Sequence, residues 1–149
     1  MKTKIEEEIE KTGFFIYTCV GNSMNPVIKQ NSDLLVIEKT NGRLKKYDVP
    51  LYKRDNGPYI LHRILKVREN DYIICGDNRW LKEYGITDAN IVGVLTKIIK
   101  KNNKEIRMSD FSYRLYVHLW CDFFLFRAAI LYLLHAFRKI IIIVFKKYY

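Results

Sequence analysis

The sequence predicts a mainly β protein: a curled, largely antiparallel β-sheet of barrel-like form, with a short helix before it and a helical extension after it. Two observations indicate the sheet. Short apolar runs rich in β-branched and aromatic residues recur between residues 14 and 96, and turn-forming Asn, Asp and Gly separate them. A third observation indicates the extension, because no glycine or proline follows Gly93 to interrupt a helix.

The length of 149 residues predicts one globular domain with an appendage. We divide the chain into a helix at 1–12, a β domain at 13–100 and a helical segment at 105–149. Thr3, with Glu6 three residues later, is the capping pattern that predicts the first helix. The same segment is too highly charged for a signal peptide or a leading membrane anchor. A hydrophobic content of 49% excludes a disordered chain.

Six strands are expected in the β domain, at residues 14–20, 33–38, 47–54, 59–67, 72–75 and 91–96. Pro50 indicates that the third strand lies at an edge of the sheet or carries a bulge. In the fourth strand, side-chain alternation places Ile60, His62 and Ile64 on one face.

The net charge of +10 is concentrated after residue 97, where basic residues alternate with apolar ones. This composition favours an anionic membrane surface over nucleic acid as a partner, since a nucleic-acid face rarely carries a run such as 140–144. The longest uncharged stretch, 128–137, is about half of a membrane span. An in-plane or re-entrant helix is therefore favoured over a transmembrane helix, and a helix packed on the β domain is the alternative.

Three cysteines, Cys19, Cys75 and Cys121, lack metal-ligand spacing. They predict buried thiols in a reducing compartment, with a Cys19–Cys75 bridge as the alternative. No metal and no other cofactor is expected.

Three short segments carry candidate chemistry. Residues 21–26 form a turn that can present the Ser23 hydroxyl at the end of a strand. His62 lies between two isoleucines, where partial burial keeps an imidazole neutral and suited to act as a base. Gly76, Asp77 and Asn78 end the fifth strand in a polar turn. Taken singly, each segment is better explained as an ordinary turn or as part of the core.

In this order, the segments at 23–26, 61–64 and 76–79 resemble the three boxes of the type I signal peptidase superfamily, which also contains the self-cleaving repressor peptidases. The resemblance covers residues 14 to 96 and implies a signal-peptidase core. In the bacterial type a lysine base precedes the arginine that matches Arg63. In the endoplasmic-reticulum and archaeal type that residue is a histidine, so His62 indicates the Ser–His branch.

The resemblance implies that Ser23 is the nucleophile and His62 its general base. The third member in this branch is an acid after the last box, and Glu83 stands where an aspartate is usual. Glutamate can also orient an imidazole. Asp77 and Asp88 are the fallback candidates for this role.

The remaining roles also follow from the resemblance. The backbone N–H of Ser23 would form the oxyanion hole, assisted by the turn at Gly21 and Asn22. Some members have a serine where this chain has Gly21. Met24 and Pro26 would help to shape the substrate pocket. The structural box would comprise Arg63, Gly76, Asp77 and Asn78.

The function implied is a membrane-associated serine endopeptidase that removes leader or signal peptides from precursor proteins. Its substrate would lie extended beside a sheet edge at 14–22 or around 47–54. A non-catalytic module that grips an extended peptide is the alternative. A self-cleaving regulator is a third hypothesis, but it requires a DNA-binding half and a lysine base, and the sequence shows neither.

Overall fold

The computed structural model describes residues 3–54 and 57–148. Within those residues the chain forms two antiparallel sheets and three α-helices, and neither sheet closes into a barrel. The elements, in chain order, are α1 (Lys4–Thr12), β1 (Phe14–Tyr17), β2 (Leu34–Glu38), β3 (Pro50–Lys53), β4 (Tyr59–Leu61), β5 (Arg63–Val67), β6 (Tyr72–Cys75), β7 (Glu83–Ile86), β8 (Ile91–Ile99), β9 (Glu105–Arg107), α2 (Phe111–Cys121) and α3 (Phe124–Tyr148). The fold is mixed α/β, so the prediction of a mainly β, barrel-like protein is only partly correct.

The first sheet has the strand order β1-β2-β8-β3-β4, with β9 paired to the end of β8. Strands β1 and β4 are therefore its edges. Strand β3 lies between β8 and β4, so the substrate edge expected around 47–54 is wrong, and of the two alternatives drawn from Pro50 the bulge is the one confirmed. Pro50 is tolerated as the first residue of β3, and the register of β3 against β8 shifts between Leu51 and Tyr52.

The expected fourth strand, 59–67, is divided between the two sheets. Strand β4 pairs with β3 in the first sheet, whereas β5 pairs with β6 in the second sheet. His62 is the one residue between them, so the chain turns from one sheet to the other at the candidate base. This division explains why the strands do not form one barrel.

The second sheet has the order β5-β6-β7. Strand β7 was not predicted, since its four residues include an exposed glycine and show only one buried side chain, Ile86. It pairs with β6 so that Glu83 lies opposite Ile74. The second sheet thereby carries Glu83 on its edge strand.

Helix α1 confirms the capping pattern read from the sequence. The Glu6 N–H donates to Thr3 Oγ1, and Glu6 Oε2 accepts the Thr3 N–H at 3.0 Å. Gly13 ends the helix with φ +86°, a conformation that favours glycine. Ile9 is buried against the first sheet, so the helix is held at the β1 side of the domain.

Helices α2 and α3 are apolar, and much of their apolar surface is exposed. No single helix among the described residues has the length and apolarity needed to cross a membrane; by these criteria alone, the pair Phe111–Cys121 and Phe124–Phe137, bent by 79°, could do so. Tyr113, Val117 and Cys121 face inward from α2. The side chains at 138–140 and 142–149, and the predicted turn residues 55 and 56, lie outside the described residues.

The three cysteines are free thiols, and Cys75 and Cys121 are buried. The alternative of a Cys19–Cys75 bridge is therefore wrong for this structure. Burial raises the pKa of both buried thiols to about 11. These two thiols are protonated at neutral pH and belong to the packing of the core.

Candidate active site

Ser23 lies in the turn that follows strand β1, and its side chain is half-buried. The Asn25 N–H donates to the Asn22 carbonyl at 3.1 Å, which closes the turn. Gly21 adopts φ +102°, in the left-handed region that disfavours side chains, and its N–H donates to Gln30 Oε1 at 2.9 Å. These local contacts hold Ser23 in place.

The turn at 76–79 packs directly against Ser23 and His62. The Asn78 N–H donates to the Ser23 carbonyl at 2.7 Å. A Cβ atom added to Gly76 would lie 2.6 Å from that carbonyl oxygen and 3.0 Å from His62 Nε2. The Ser23 carbonyl oxygen and His62 Nε2 therefore both lie close to the point that a Cβ of residue 76 would occupy. Glycine, which lacks this atom, avoids the clash.

His62 contacts Glu83 through its other ring nitrogen. His62 Nδ1 lies 2.7 Å from Glu83 Oε1, and the two side chains are 11% and 28% exposed. Tyr52 donates to Glu83 Oε2 at 2.9 Å and lies 3.3 Å from His62 Nδ1. Arg54 reaches the same carboxylate at 3.4 Å. A carboxylate bonded to Nδ1 places the proton on that nitrogen and leaves Nε2 free as an acceptor.

Burial lowers the pKa of His62 below its ordinary value of 6.5, and the Glu83 carboxylate opposes this shift. The net direction is downward, so the imidazole is neutral at pH 7. A neutral imidazole whose acceptor nitrogen lies beside Gly76, next to the serine turn, is in the form that a general base requires.

The Ser23 backbone N–H donates to no protein acceptor among the described residues and is free to donate to a ligand. The Asn22 carbonyl is engaged, because it receives the Asn78 side-chain N–H at 3.1 Å. One backbone donor is thus available at the position expected for an oxyanion hole.

Arg63 and Asp77 form a fully buried ion pair, with both side chains at 0% exposure. Arg63 Nε and Nη2 donate to the two carboxylate oxygens at 2.8 and 2.7 Å. Its Nη1 donates to the Tyr47 carbonyl and to the Tyr113 hydroxyl. Both carboxylate oxygens of Asp77 are therefore bonded to Arg63, and this ion pair links the 61–64 segment to the 76–79 turn.

Asp88 lies apart from His62. It accepts hydrogen bonds from Tyr72 and from Arg43 at the rim of the second sheet. Of the three acids considered from the sequence, Glu83 is the one whose carboxylate contacts the His62 ring.

A cavity of about 490 Å³ opens beside Ser23 and His62. Met24 lines its wall while packing into the core with 3% exposure, whereas Pro26 lies on the other side of the turn beside separate cavities. The cavity runs between the two edge strands of the first sheet. Its further lining residues are Ile5, Tyr17, Thr18, Cys19, Val20, Gly21, Tyr59, Ile60, Leu61 and Arg79.

Four further residues around the site were not predicted from the sequence. Tyr52 and Arg54 hold Glu83 from strand β3 and the residue after it. Trp120 and Arg127 reach the 76–79 turn from the C-terminal helices. Side-chain alternation on the third strand could have placed Tyr52 in the core, but no pattern within the sequence links it to Glu83.

No family model, curated protein or solved structure matches the chain. The part of the chain that the structure describes contains no group of three or more His, Cys, Asp or Glu residues placed to hold a metal ion.

Proposed function

We propose that the protein is a serine endopeptidase of the signal-peptidase type, which removes leader or signal peptides from precursor proteins. The observation that carries this proposal is the placement of His62. Its Nδ1 contacts Glu83 at 2.7 Å, while its Nε2 and the Ser23 carbonyl approach the same point beside Gly76. The base and the orienting acid are thus paired as in a serine peptidase, beside the turn that carries Ser23, the proposed nucleophile.

In the reaction, Ser23 Oγ attacks the carbonyl carbon of the scissile peptide bond and transfers its proton to His62 Nε2. The Ser23 N–H donates to the oxyanion that forms. The intermediate then breaks its C–N bond, and the departing amine takes the proton from His62. Water, deprotonated by His62, hydrolyses the ester and restores the serine. Glu83 stabilises the imidazolium throughout and stays ionised.

An extended substrate fits the cleft between β1 and β4. Both strands are edges of the first sheet and contribute residues to the cleft, so a peptide is proposed to pair with one of them as an added strand. The substrate contact predicted along residues 14–22 stays a proposal. The second substrate contact, predicted around 47–54, is now proposed for strand β4. Apolar lining residues such as Ile5 and Leu61 favour uncharged side chains in the substrate.

We further propose that an anionic membrane surface is a partner of helices α2 and α3. Leu119, Phe123 and Phe126 are 60%, 63% and 70% exposed near the bend between these helices. An exposed basic residue, Lys82, lies at the same bend, with its Nζ 4.2 Å from the centre of the Phe124 ring. Apolar side chains beside basic ones favour binding in the headgroup region of anionic lipids.

Flotation with liposomes tests the membrane partner. We expect the intact protein to float with liposomes that contain phosphatidylserine, and less so with phosphatidylcholine alone. Leu119→Ser with Phe126→Ser should abolish flotation, because both side chains are exposed and their replacement removes apolar surface without opening the core. Equal flotation of this variant would contradict the proposal.

Peptide cleavage tests the proposed activity. Wild-type protein is incubated with a synthetic precursor that carries an apolar leader and small residues before the junction, and the products are identified by mass spectrometry. We expect one cut at the junction, and His62→Ala should lose cleavage while fluorescence anisotropy shows that the precursor still binds. Binding of the precursor by wild type without any cleavage would favour the peptide-binding module instead.

A further inference from the structure

Arg127, on helix α3, is a buried cation that contacts the 76–79 turn. Only 2% of the surface of this residue is exposed. Its Nη2 donates to the Gly76 carbonyl at 3.1 Å and to the Arg79 carbonyl at 2.9 Å. The guanidinium therefore joins the first and last residues of the turn.

Helix α2 adds a second contact to the same turn. Trp120 Nε1 donates to the Asp77 carbonyl at 2.8 Å. Carbonyl groups at positions 76, 77 and 79 are thus held from the C-terminal helices. On its opposite side, the turn holds Ser23 through the Asn78 N–H and approaches His62 Nε2 at Gly76. The turn connects Arg127 and Trp120 to the candidate nucleophile and base.

The charge of Arg127 is costly at this position. Among the described residues no carboxylate lies within ion-pair distance of it, and its Nε and Nη1 have no hydrogen-bond partner. The faces of Trp120 and Phe124 cover the guanidinium carbon at 5.9 and 4.9 Å. An apolar side chain of similar volume would pack here without the desolvation cost of a buried charge. What an apolar side chain cannot do is donate to the two turn carbonyls.

We propose that Arg127 is a positioning residue of the active site. By holding the Gly76 and Arg79 carbonyls, it fixes the turn whose Asn78 N–H sets the position of Ser23 and whose Gly76 lies against His62. The effect of Arg127 on catalysis rests on the proposed peptidase function. Its effect on the 76–79 turn does not depend on that function. Placement errors of about 1 Å can slow an enzymatic step by roughly a hundredfold, so a looser turn acts on turnover.

Arg127→Met is the decisive variant, because it keeps much of the length and apolar packing of the side chain and removes the donors together with their charge. Arg127→Lys keeps one charged donor group and should restore part of the effect. Arg114→Met makes the same substitution at an exposed arginine of α2 and serves as the matched control. Should Arg127→Met fail to fold, Trp120→Phe removes a single donor to the same turn and takes its place.

Amide hydrogen exchange of Asn78 is the readout that does not depend on activity. We expect exchange in Arg127→Met to be at least about tenfold faster than in wild type, with Arg114→Met unchanged. Unaltered Asn78 exchange in Arg127→Met would overturn the proposal. If the wild type cleaves no precursor, the peptidase function fails, and Asn78 exchange still decides the role of Arg127 in the turn.

Kinetics with the synthetic precursor test the catalytic consequence. We expect Arg127→Met to lower kcat by about tenfold to a hundredfold with a smaller change in KM, because the turn positions reacting groups and only its last residue, Arg79, lines the cleft. In Arg127→Lys, kcat should recover in part, and the rate of Asn78 amide exchange should return in part toward the wild-type value. A wild-type kcat in Arg127→Met, or a change in KM alone, would overturn the positioning role.

Discussion

Glu83 Oε1 and His62 Nδ1 lie 2.7 Å apart, and the other oxygen of the same carboxylate accepts a hydrogen bond from Tyr52 at 2.9 Å. The carboxylate is thus fixed on both oxygens. Because it accepts from Nδ1, it determines which ring nitrogen carries the proton and leaves Nε2 directed toward the serine turn. The chemistry proposed for Ser23 depends on this relationship.

Glu83→Gln should lower kcat strongly and leave precursor binding largely unchanged. The amide no longer stabilises the imidazolium and can favour the wrong tautomer, which in a serine peptidase costs up to about 10⁴-fold in turnover. Initial rates over a range of precursor concentrations would measure the split between kcat and KM. Glu69→Gln, at an exposed glutamate away from the site, is the control. An unchanged kcat in Glu83→Gln would remove Glu83 from the mechanism.

Tyr52→Phe should lower kcat by about tenfold, which corresponds to about 1.4 kcal/mol of transition-state stabilisation. The variant removes one hydrogen bond to the Glu83 carboxylate and leaves Arg54 as its other support. Tyr72→Phe is a matched control, since Tyr72 is also buried and donates to a carboxylate, that of Asp88. Both variants should lose stability in urea, but only Tyr52→Phe should lose turnover. Equal turnover in the two would contradict a role for Tyr52 at the site.

Gly76→Ala should lower kcat by at least about a hundredfold. The added Cβ would lie 2.6 Å from the Ser23 carbonyl oxygen and 3.0 Å from His62 Nε2, so the serine turn or the imidazole must move. A displacement of about 1 Å costs roughly a hundredfold in rate.

Gly42→Ala provides the comparison for that variant. No atom lies within 4 Å of its added Cβ, but its φ of +97° makes a side chain unfavourable by about 1–3 kcal/mol. It should lower the midpoint of thermal unfolding and keep wild-type kcat. If Gly76→Ala cleaves as fast as Gly42→Ala, the close approach around Gly76 has no catalytic consequence.

The pH dependence of activity should show an acidic limb with a midpoint below 6.5. Burial lowers the pKa of His62 from that value, and the base must be neutral to accept the serine proton. In Glu83→Gln the residual activity should have its midpoint at still lower pH, because the carboxylate that raises the His62 pKa is gone. Profiles of kcat/KM for the two proteins measure the shift, and a midpoint above 6.5 in wild type would contradict it.

The same group predicts how stability changes with pH. Since the folded pKa of His62 is the lower one, the unfolded chain binds more protons, and the stability from this group is lost as pH falls below 6.5 toward the folded pKa. Urea unfolding between about pH 7.5 and pH 5 should show a steeper loss in wild type than in His62→Gln. Parallel losses in the two proteins would contradict the burial of a neutral imidazole.

The parts of the fold that could be predicted are those with local causes. Thr3 and Glu6 cap α1 through contacts within one helical turn, and Gly21 and Asn22 close the turn of Ser23 within a few residues. No local pattern predicted that the strand at 59–67 would be divided between two sheets at His62. Residues 59–67 have the composition of one strand, and their partners in the two sheets are distant in the sequence.

The candidate site divides in the same way. Ser23, His62 and Gly76 lie in short patterns whose residue types suit their chemistry, and Glu83 could be proposed from its position after the last box. Tyr52 and Arg127 could not, because each acts through contacts with distant segments. A buried tyrosine and an arginine in an apolar helix are common, and their roles depend on the tertiary contacts they make.

Cleavage of the synthetic precursor by Ser23→Ala, measured beside Ser32→Ala, tests the central claim most directly. Ser32 is a half-buried serine of a neighbouring turn that does not line the cleft, so its variant controls for loss of a hydroxyl. We expect Ser23→Ala to lose at least about 10⁴-fold in kcat while it still binds the precursor, and Ser32→Ala to match wild type. Cleavage by Ser23→Ala at the wild-type rate would contradict the assignment of Ser23 as the nucleophile.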